Sequence, residues 1–411
     1  QQGNYLFASV ETLGSELTAY LQNIFSNKKI SITGEFIRHA ETIAVLEFVI
    51  PVSPDKIINT LDKQQEFELL EQNDDYILYG YDEKIKVKLF FTDDKSVNEK
   101  LFFTSGTPEF KESFVKEFPK FDFEKVDDDQ DIFKKLNIQY IPGFLRENGE
   151  IIKQAARFSI PHVIMPADIK GLIHCHSNWS DGSNTLEQLA DAAIDSHLEY
   201  LVISDHSKAA DYAKGLSEEK IKAQHELVNE LNEKYKPFKI FKSIESDILN
   251  DGSLDYSNSI LSSFDMVIAS VHSNLKMSEE KAMRRLLKAI ENPFTIILGH
   301  MTGRLLLSRK GFPVDHKQII DACAANDVVI ELNAHPRRLD MRWQWIEYAL
   351  NKNVMISINP DAHSIEEFNN TRYGVLSAQK GMLTKKNNLS SFSLPEFEKF
   401  LKEIKKRKTS L

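Results

Sequence analysis

Short apolar segments separated by turns occupy the first quarter of the chain and predict β-strands. They cover residues 43–51, 76–81 and 85–91. Between the first two segments, apolar residues recur near helical spacing at Ile57, Ile58, Leu61 and Phe67. This spacing predicts a helix over residues 53–70 that covers a mixed sheet, which is an α+β arrangement.

The pattern becomes helical after residue 104, and a linker ending near Ala167 then indicates a domain boundary. Beyond the linker, apolar strands alternate with amphipathic helices. The predicted strands are residues 170–174, 200–204, 240–244, 266–270, 295–298, 328–332 and 355–358, and the clearest helices are 185–196, 218–235 and 315–326. Seven strands in this alternation predict a parallel α/β barrel.

Side chains that can bind metals interrupt these strands at their carboxyl ends, where barrels of this kind place their chemistry. The first strand ends in two imidazoles at i and i+2, which point the same way and can chelate one ion. The nine candidate ligands are His174, His176, Asp181, His206, Glu245, His272, His300, Asp361 and His363. Imidazole and carboxylate suit Zn, Mn, Fe or Mg, and without a thiolate set they exclude a closed structural zinc site. The pattern predicts two or three divalent metal ions.

A single histidine at a strand end is more often a hydrogen-bonded surface or core residue than a ligand. We interpret His197, His225 and His316 in that way. Asp181 alone would be a turn residue or a helix N-cap. Six of the twelve histidines, however, fall at strand ends within short polar clusters, and this concentration favours a metal site.

Composition sets the broad class. The 411 residues are 42% hydrophobic and suit two or three domains of a soluble protein, and no apolar run is long enough to cross a bilayer. The only cysteines are Cys175 and Cys323, so we do not expect a disulfide framework. A reducing compartment fits this better, and we expect a cytoplasmic location. The first residues show neither an initiator Met nor a signal pattern, so either the chain was cut or residues upstream are missing. No pattern indicates an oligomeric state.

The negative charge is concentrated in the N-terminal part. Of the net charge of −10, residues 1–170 carry about −9. Nucleic acids are bound largely by neutralising phosphates with Lys and Arg, so this part is a poor surface for gripping DNA.

The polar clusters of the second part form an ordered set of motifs. They are HCHSNWSDG (174–182), ISDHS (203–207), IESDIL (244–249), ASVHS (269–273), LGHMTGRLL (298–306) and SINPDAHS (357–364). In order and content they resemble the polymerase-and-histidinol-phosphatase (PHP) family, in the version fused to bacterial family X DNA polymerases. The resemblance covers residues 168–390.

The resemblance implies that residues 168–411 fold as a distorted (β/α)7 TIM-like barrel. It also implies a trinuclear metal site whose ligands match the nine residues named above, and a 3′–5′ exonuclease or 3′-end phosphodiesterase acting on DNA. The substrate would then be a phosphoester, including single-stranded DNA 3′ ends. The sequence departs from the family pattern at Ser204, Pro360 and His335, which bears on metal preference or substrate fit.

Residues 1–105 resemble the palm of the same polymerases, and residues 106–167 a thumb with the linker. The segment from Thr33 to Glu47 follows the palm motif, but Val45 and Glu47 stand where the first two metal-binding Asp residues belong. Lys88 stands where the third belongs. Two-metal nucleotidyl transfer needs those carboxylates, so we expect this α+β region to be a degenerate palm without polymerase activity.

Roles within the barrel follow from side-chain chemistry. Glu245 and Asp361 are candidates to bridge ions, because carboxylates can span two metals. Arg304 is the first candidate to clamp substrate phosphate, since a guanidinium pairs bidentately with it, and surface salt bridges are the alternative role. Arg337, Arg338 and Arg342 are candidates for the same contact, and Lys208 is a weaker one.

Three functions remain open on the sequence. The first is the 3′–5′ exonuclease, and the second is a small-molecule phosphomonoesterase of the histidinol-phosphatase type. The third is a non-enzymatic scaffold whose former palm binds a partner. The complete ligand set argues against the scaffold, because a decayed site usually loses ligands.

Overall fold

The computed structural model describes residues 3–409, and the chain divides after Pro161 into two compact units. Among the described residues, no helix is long and apolar enough to cross a membrane.

The N-terminal unit is built on a mixed five-stranded sheet in the order β2-β4-β7-β6-β5, with β1 and β3 forming a separate antiparallel pair. Its strands are β1 Tyr5–Leu6, β2 Ser31–Thr33, β3 Thr42–Ile43, β4 Val45–Ile50, β5 Phe67–Gln72, β6 Tyr76–Tyr81 and β7 Ile85–Phe91. Its helices are α1 Phe7–Ile24, α2 Gly34–Ile37, α3 Pro54–Leu61, α4 Val97–Ser105, α5 Pro108–Glu117, α6 Asp129–Leu136 and α7 Glu150–Ala156. Only β4 and β7 pair in parallel, and a cluster of phenylalanines on α4 to α6 forms much of the helical core.

The prediction of one helix over residues 53–70 is wrong in its second half. Helix α3 ends at Leu61, and Phe67 begins the edge strand β5, which pairs antiparallel with β6. The cause is the turn at Asn73, whose side-chain oxygen accepts hydrogen bonds from the N–H groups of Asp75 and Tyr76. Such an Asx turn closes a hairpin, and the chain before it is therefore a strand.

The second unit is a nearly closed barrel of seven parallel strands, in the spatial order β14 to β8. Its strands are β8 Gly171–Cys175, β9 Tyr200–Ile203, β10 Lys239–Asp247, β11 Met266–Ser270, β12 Thr295–Leu298, β13 Val329–Asn333 and β14 Ile356–Asn359. Its helices are α8 Leu186–Asp195, α9 Glu218–Lys234, α10 Asn258–Leu261, α11 Glu279–Ile290, α12 His316–Ala325, α13 Ile346–Asn351, α14 Thr371–Lys380 and α15 Leu394–Thr409. A bridge between Cys175 and Ala362 brings the first and last strands together. The predicted α/β barrel preceded by a mixed α+β region is confirmed.

Helix α15 packs against the amino-terminal halves of the barrel strands. Its Phe397, Leu401 and Ile404 join a buried cluster with residues such as Val202 and Phe241. The ring of Phe397 also stacks on Tyr200, with 4.5 Å between centroids. The amino end of the barrel is thus filled by apolar side chains, which leaves the carboxyl end for polar ones.

Candidate metal centre

Glu245 lies at the centre of the predicted donors. It is on β10, is 1% exposed, and its carboxylate faces imidazole nitrogens of five histidines. These are His300 (2.9 Å), His206 and His272 (3.1 Å each), His174 (3.3 Å) and His176 (3.6 Å). The ends of four strands, β8, β9, β11 and β12, therefore converge on a carboxylate of β10, as the parallel barrel requires.

The two aspartates bring in the remaining donors. Asp361 Oδ1 lies 3.2 Å from His176 Nε2 and 3.5 Å from His174 Nε2. Asp181 Oδ1 lies 3.4 Å from His363 Nε2, and Asp181 Oδ2 lies 3.7 Å from His206 Nε2. All nine residues proposed from the sequence are therefore in one contiguous cluster.

Three overlapping groups of donor atoms are each compact enough to hold one ion, with all atoms of a group within 4.8 Å of one another. The groups are His176, Asp181, His206 and His363; His174, His176 and Glu245; and His206, Glu245 and His272. Glu245, His176 and His206 each belong to two groups. A shared carboxylate between compact groups is the arrangement that a cluster of two or three ions needs.

Buried atoms without hydrogen-bond partners indicate the same. In the described part of the chain these include His174 Nε2, His176 Nδ1, His206 Nδ1, His300 Nδ1 and Glu245 Oε2. His206 Nδ1 and Glu245 Oε2 lie 3.1 Å apart without forming a hydrogen bond. Buried polar atoms are normally paired, since an unpaired one costs about 1–3 kcal/mol. Their concentration around one point fits bound cations, and the residues suit hard or borderline divalent metals.

The electrostatics of the cluster also favours cations. Burial alone would raise the pKa of Asp181, but the facing imidazoles of His363, His206 and His176 lower it to about 2. Burial would also raise the pKa of Glu245. The positive charge of three imidazoles outweighs it and holds this pKa well below its usual range; they belong to His272, His174 and His206. These carboxylates are ionised at neutral pH, and buried anions need cationic partners.

The backbone is strained where two donors are presented. His174 and Asp361 adopt φ values of 68° and 52°, in the left-handed region that residues other than Gly rarely occupy. Ala362 N–H donates to the His174 carbonyl, and His176 N–H donates to the Ala362 carbonyl. Such conformations persist only when the surroundings fix them, and they often occur at functional sites.

Asp205 positions the loop that carries His176 and Asp181. Its buried carboxylate accepts hydrogen bonds from Ser177 N–H (2.8 Å), Ser177 Oγ (2.6 Å) and Ser180 Oγ (2.6 Å). Gly182 closes the loop, because a Cβ there would lie 2.3 Å from the His176 carbonyl oxygen. Asp205 therefore acts through the loop, although it neighbours His206 in sequence.

Two further carboxylates were not recognised in the sequence. Glu331 of β13 is fully buried and accepts a hydrogen bond from His174 Nδ1 at 2.6 Å, and Asp247 of β10 accepts one from His272 Nδ1. In both histidines this leaves Nε2 directed at Glu245. A carboxylate behind a histidine fixes its tautomer and increases its basicity as a ligand. The available signal was an acidic residue within an apolar strand, as at Glu331.

Arg304 lies buried beside two backbone carbonyls. The side chain is buried, and it donates to the carbonyls of Arg338 (2.7 Å) and Leu339. Arg338, by contrast, is partly exposed, and its Nε lies 3.5 Å from Asp361 Oδ2. Arg337, Arg342 and Lys208 are exposed, with Lys208 Nζ 5.2 Å from the ring centre of Tyr256. Arg338 is thus the arginine placed beside the cluster.

The histidines that we interpreted as structural lie in other surroundings. His225 contacts the ring of Phe264, and His316 stacks on Trp345 with 4.8 Å between centroids. His197 lies on the loop after α8. None of the three belongs to the metal-binding groups found among the described residues.

In the N-terminal unit, two of the positions that were compared with the palm motif lie side by side. Glu47 of β4 and Lys88 of β7 are paired in register, and their charged groups are 3.6 Å apart. Val45 of β4 pairs with Lys86. An ammonium group therefore stands beside the single remaining carboxylate.

Comparison with known proteins gives three matches of interest. DNA polymerase/3′-5′ exonuclease PolX of Bacillus subtilis is 38% identical over 274 residues, which cover 67% of this chain and 48% of that protein. A probable phosphatase of Caldanaerobacter subterraneus subsp. tengcongensis is 31% identical over 105 residues, 25% of this chain and 39% of that protein. The solved histidinol phosphate phosphatase of Lactococcus lactis, complexed with zinc, L-histidinol and phosphate, covers 52% of this chain and 94% of its own at 17% identity, with a TM-score of 0.41. The chain thus spans less than half the length of the PolX protein and of the probable phosphatase.

The PHP domain model matches residues 173–335. This range contains seven of the nine proposed ligands, and β14 brings Asp361 and His363 to the same cluster. Residues 173–335 of the barrel thus match the PHP domain, as the motifs predicted, and these similarities indicate a metal-dependent phosphoesterase. The chain is also similar to part of a bacterial DNA polymerase/3′-5′ exonuclease.

Proposed function

We propose that this protein is a 3′–5′ exonuclease or 3′-end phosphodiesterase that acts on single-stranded DNA. The observation that carries the proposal is the intact nine-residue cluster at the carboxyl end of the barrel, centred on Glu245. The relative of this type, PolX of Bacillus subtilis, is named as a polymerase and a 3′-5′ exonuclease, and 38% identity supports the same hydrolytic chemistry here.

Each part of the cluster has a proposed task. The nine donors would hold two or three divalent ions, and Glu245 and Asp361 are the candidates to be shared between ions. Divalent cations at such a site activate water for attack on phosphorus and offset charge on the phosphate oxygens. Glu331 and Asp247 accept the Nδ1 protons of His174 and His272, which leaves each Nε2 unprotonated and able to bind a metal ion. The guanidinium of Arg338 pairs with a phosphate oxygen of the substrate.

The same proposal assigns no polymerase activity to the N-terminal unit. Two-metal nucleotidyl transfer needs carboxylates around both ions, and this palm offers Glu47 with Lys88 3.6 Å away. The cationic side chain repels a metal ion from that position. The unit carries about −9 of the net charge, so we assign substrate binding to the barrel.

A small-molecule phosphomonoesterase is the second candidate. Two observations favour it: the acidic N-terminal unit, which is unsuited to gripping nucleic acid, and the 31% identity to a probable phosphatase. The cluster itself would hydrolyse either ester, because a phosphoryl group is transferred to water from a monoester and a nucleotidyl group from a diester, with an alcohol as the leaving group in both.

The experiment compares the two substrates directly. Purified protein is supplied with Mn²⁺ or Zn²⁺, and hydrolysis of a short single-stranded oligonucleotide is measured beside that of p-nitrophenyl phosphate. We expect nucleotides to be released from the 3′ end, with His174→Ala as the inactive control. Cleavage of the monoester without release of nucleotides would replace the exonuclease by the phosphatase.

A further inference from the structure

Tyr212 is an exposed aromatic residue beside the metal centre. Its side chain is 72% exposed, the largest value among the exposed large hydrophobic residues described. Its ring centre nevertheless lies 6.2 Å from that of His206, one of the proposed ligands. Single exposed aromatic residues are common, so exposure alone decides nothing. The place of this ring, at the edge of the cluster, is what needs an explanation.

The loop that carries Tyr212 is closed at its base. It follows His206, three residues after the end of β9, and a bridge between Ser207 and Leu216 joins its two ends. Leu216 N–H also donates to the His206 carbonyl at 2.9 Å. At Gly215 an added Cβ would lie 1.9 Å from the Ser207 carbonyl oxygen, so the two ends are in close contact. The loop is therefore a compact unit attached directly to a metal-ligand residue.

The loop is also fixed from below. Ala209 N–H donates to Asp255 at 2.6 Å, and Lys208 N–H donates to the Tyr256 hydroxyl at 3.1 Å. Ala210, just before the turn Asp211–Ala213, and Ala213, its last residue, are fully buried. The small side chains thus point inward while Tyr212 points outward, and the ring is held in place without being covered.

We infer that Tyr212 is a stacking platform for the 3′-terminal base of a single-stranded nucleic acid substrate, an inference that rests on the proposed exonuclease function. An aromatic ring on a fixed loop stacks on any base without sequence preference, because every base has a π-face. A ring beside the ions would position the terminal nucleotide so that its phosphate meets the cluster. A simple phosphomonoester has no base to stack, so the same ring contributes nothing to its hydrolysis.

The charge on the loop fits this substrate. Lys208 and Lys214 are both exposed and lie on the two sides of Tyr212 in sequence. Single-stranded nucleic acid sites combine aromatic platforms with cationic side chains that follow the backbone. The loop offers both kinds of group next to the ions.

The test is a cycle that removes the ring and the base separately. One substrate is a short oligothymidylate, and the other is the same strand with an abasic 3′-terminal nucleotide. Both are given to the full-length protein with Mn²⁺, as wild type, Tyr212→Phe and Tyr212→Leu. Tyr212→Phe keeps the ring, and Tyr212→Leu keeps bulk without a π-face. Metal content and hydrolysis of glycerol 2-phosphate, a monoester without an aromatic ring, are measured for each.

We expect removal of the base to lower kcat/KM of release of the first 3′-terminal nucleotide roughly ten-fold in wild type and Tyr212→Phe. Tyr212→Leu should lose about the same factor on the normal strand and nothing further on the abasic strand, because a partner that is already missing cannot be lost again. Metal content and monoester hydrolysis should not change. Equal losses from Tyr212→Leu on both strands, or no effect of the base in wild type, would overturn the inference alone. A wild type that cleaves the monoester and neither strand would overturn the proposed function together with it.

Discussion

At the scale of single residues, Glu331 is where the site depends most on a side chain outside the ligand set. It accepts hydrogen bonds from His174 Nδ1 (2.6 Å), His300 N–H (3.1 Å), Asn333 Nδ2 (3.0 Å) and Asn359 Nδ2 (2.7 Å). In Glu331→Gln, an amide NH₂ would face these donors, and His174 would lose its orienting anion. Replacing such partners typically costs 10–100-fold in metal affinity, and we expect a loss of about that size. Competition with a chelator measures it, and Glu47→Gln in the other unit is the control that should retain wild-type affinity.

The arginines give a second prediction at this scale. Arg338→Ala should weaken inhibition by inorganic phosphate by about ten-fold, because a charge-assisted hydrogen bond contributes on the order of 1.5–3 kcal/mol. Arg304→Ala should instead lower the melting temperature, because its buried guanidinium supports the carbonyls of Arg338 and Leu339. If Arg304→Ala weakens inhibition by phosphate and leaves the melting temperature unchanged, Arg304 contacts the phosphate instead.

The sequence located the residues that chemistry makes conspicuous. Histidines at strand ends form a pattern that is visible without a structure. Glu331 forms none, since one carboxylate in an apolar strand has the same appearance whether it orients a ligand or binds water. The role of Arg304 depended on which way a loop side chain points, and the spacing of residues in a loop carries no such information.

At the scale of elements, the last turn of helix α15 contains a buried lysine, Lys408, whose pKa is lowered. Lys408 Nζ donates to the Thr295 carbonyl at 2.8 Å, and burial lowers the pKa of Lys408 from 10.5 to about 8. Between these two pH values the unfolded chain keeps the proton while the folded chain has released it, so raising the pH favours the folded state.

We therefore expect wild type to gain about 1–2 kcal/mol of stability relative to Lys408→Met on going from about pH 7.5 to about pH 9.5. Urea unfolding of both proteins at the two pH values measures the difference. A difference between the two proteins that stays constant with pH would contradict the expected pKa.

The strands differ in how well the sequence predicts them. The barrel strands are continuous apolar segments between helices, and each predicted strand overlaps an observed one. Strand β5 escaped prediction because it is an edge strand with five exposed residues out of six, so its sequence lacks the alternation of a half-buried strand. Only its pairing with β6 and the turn at Asn73 reveal it.

At the scale of the whole molecule, the two units differ in charge and in chemistry. The N-terminal unit carries a net charge of about −9 and has Lys88 beside Glu47, whereas the second unit contains every proposed metal ligand. We expect residues 162–411 alone to retain most of the hydrolysis of short single strands, since the barrel has its own core and a nearly neutral charge.

Comparison of kcat/KM for the barrel and for the full chain measures this, with p-nitrophenyl phosphate as the reference substrate. If residues 162–411 cleave the monoester as well as the full chain but lose the oligonucleotide, the N-terminal unit takes part in substrate binding. That outcome would contradict the assignment of substrate binding to the barrel.

The measurement that tests the central claim most directly is the metal content of the gently purified full-length protein. Nine nitrogen and oxygen donors surround one point, and their ionised carboxylates and unpaired imidazole nitrogens need cations. Elemental analysis after Mn²⁺ or Zn²⁺ has been offered should find two or three equivalents per chain, falling below one in Glu245→Ala. Less than one equivalent in the wild-type protein would contradict the claim that this barrel holds a metal cluster.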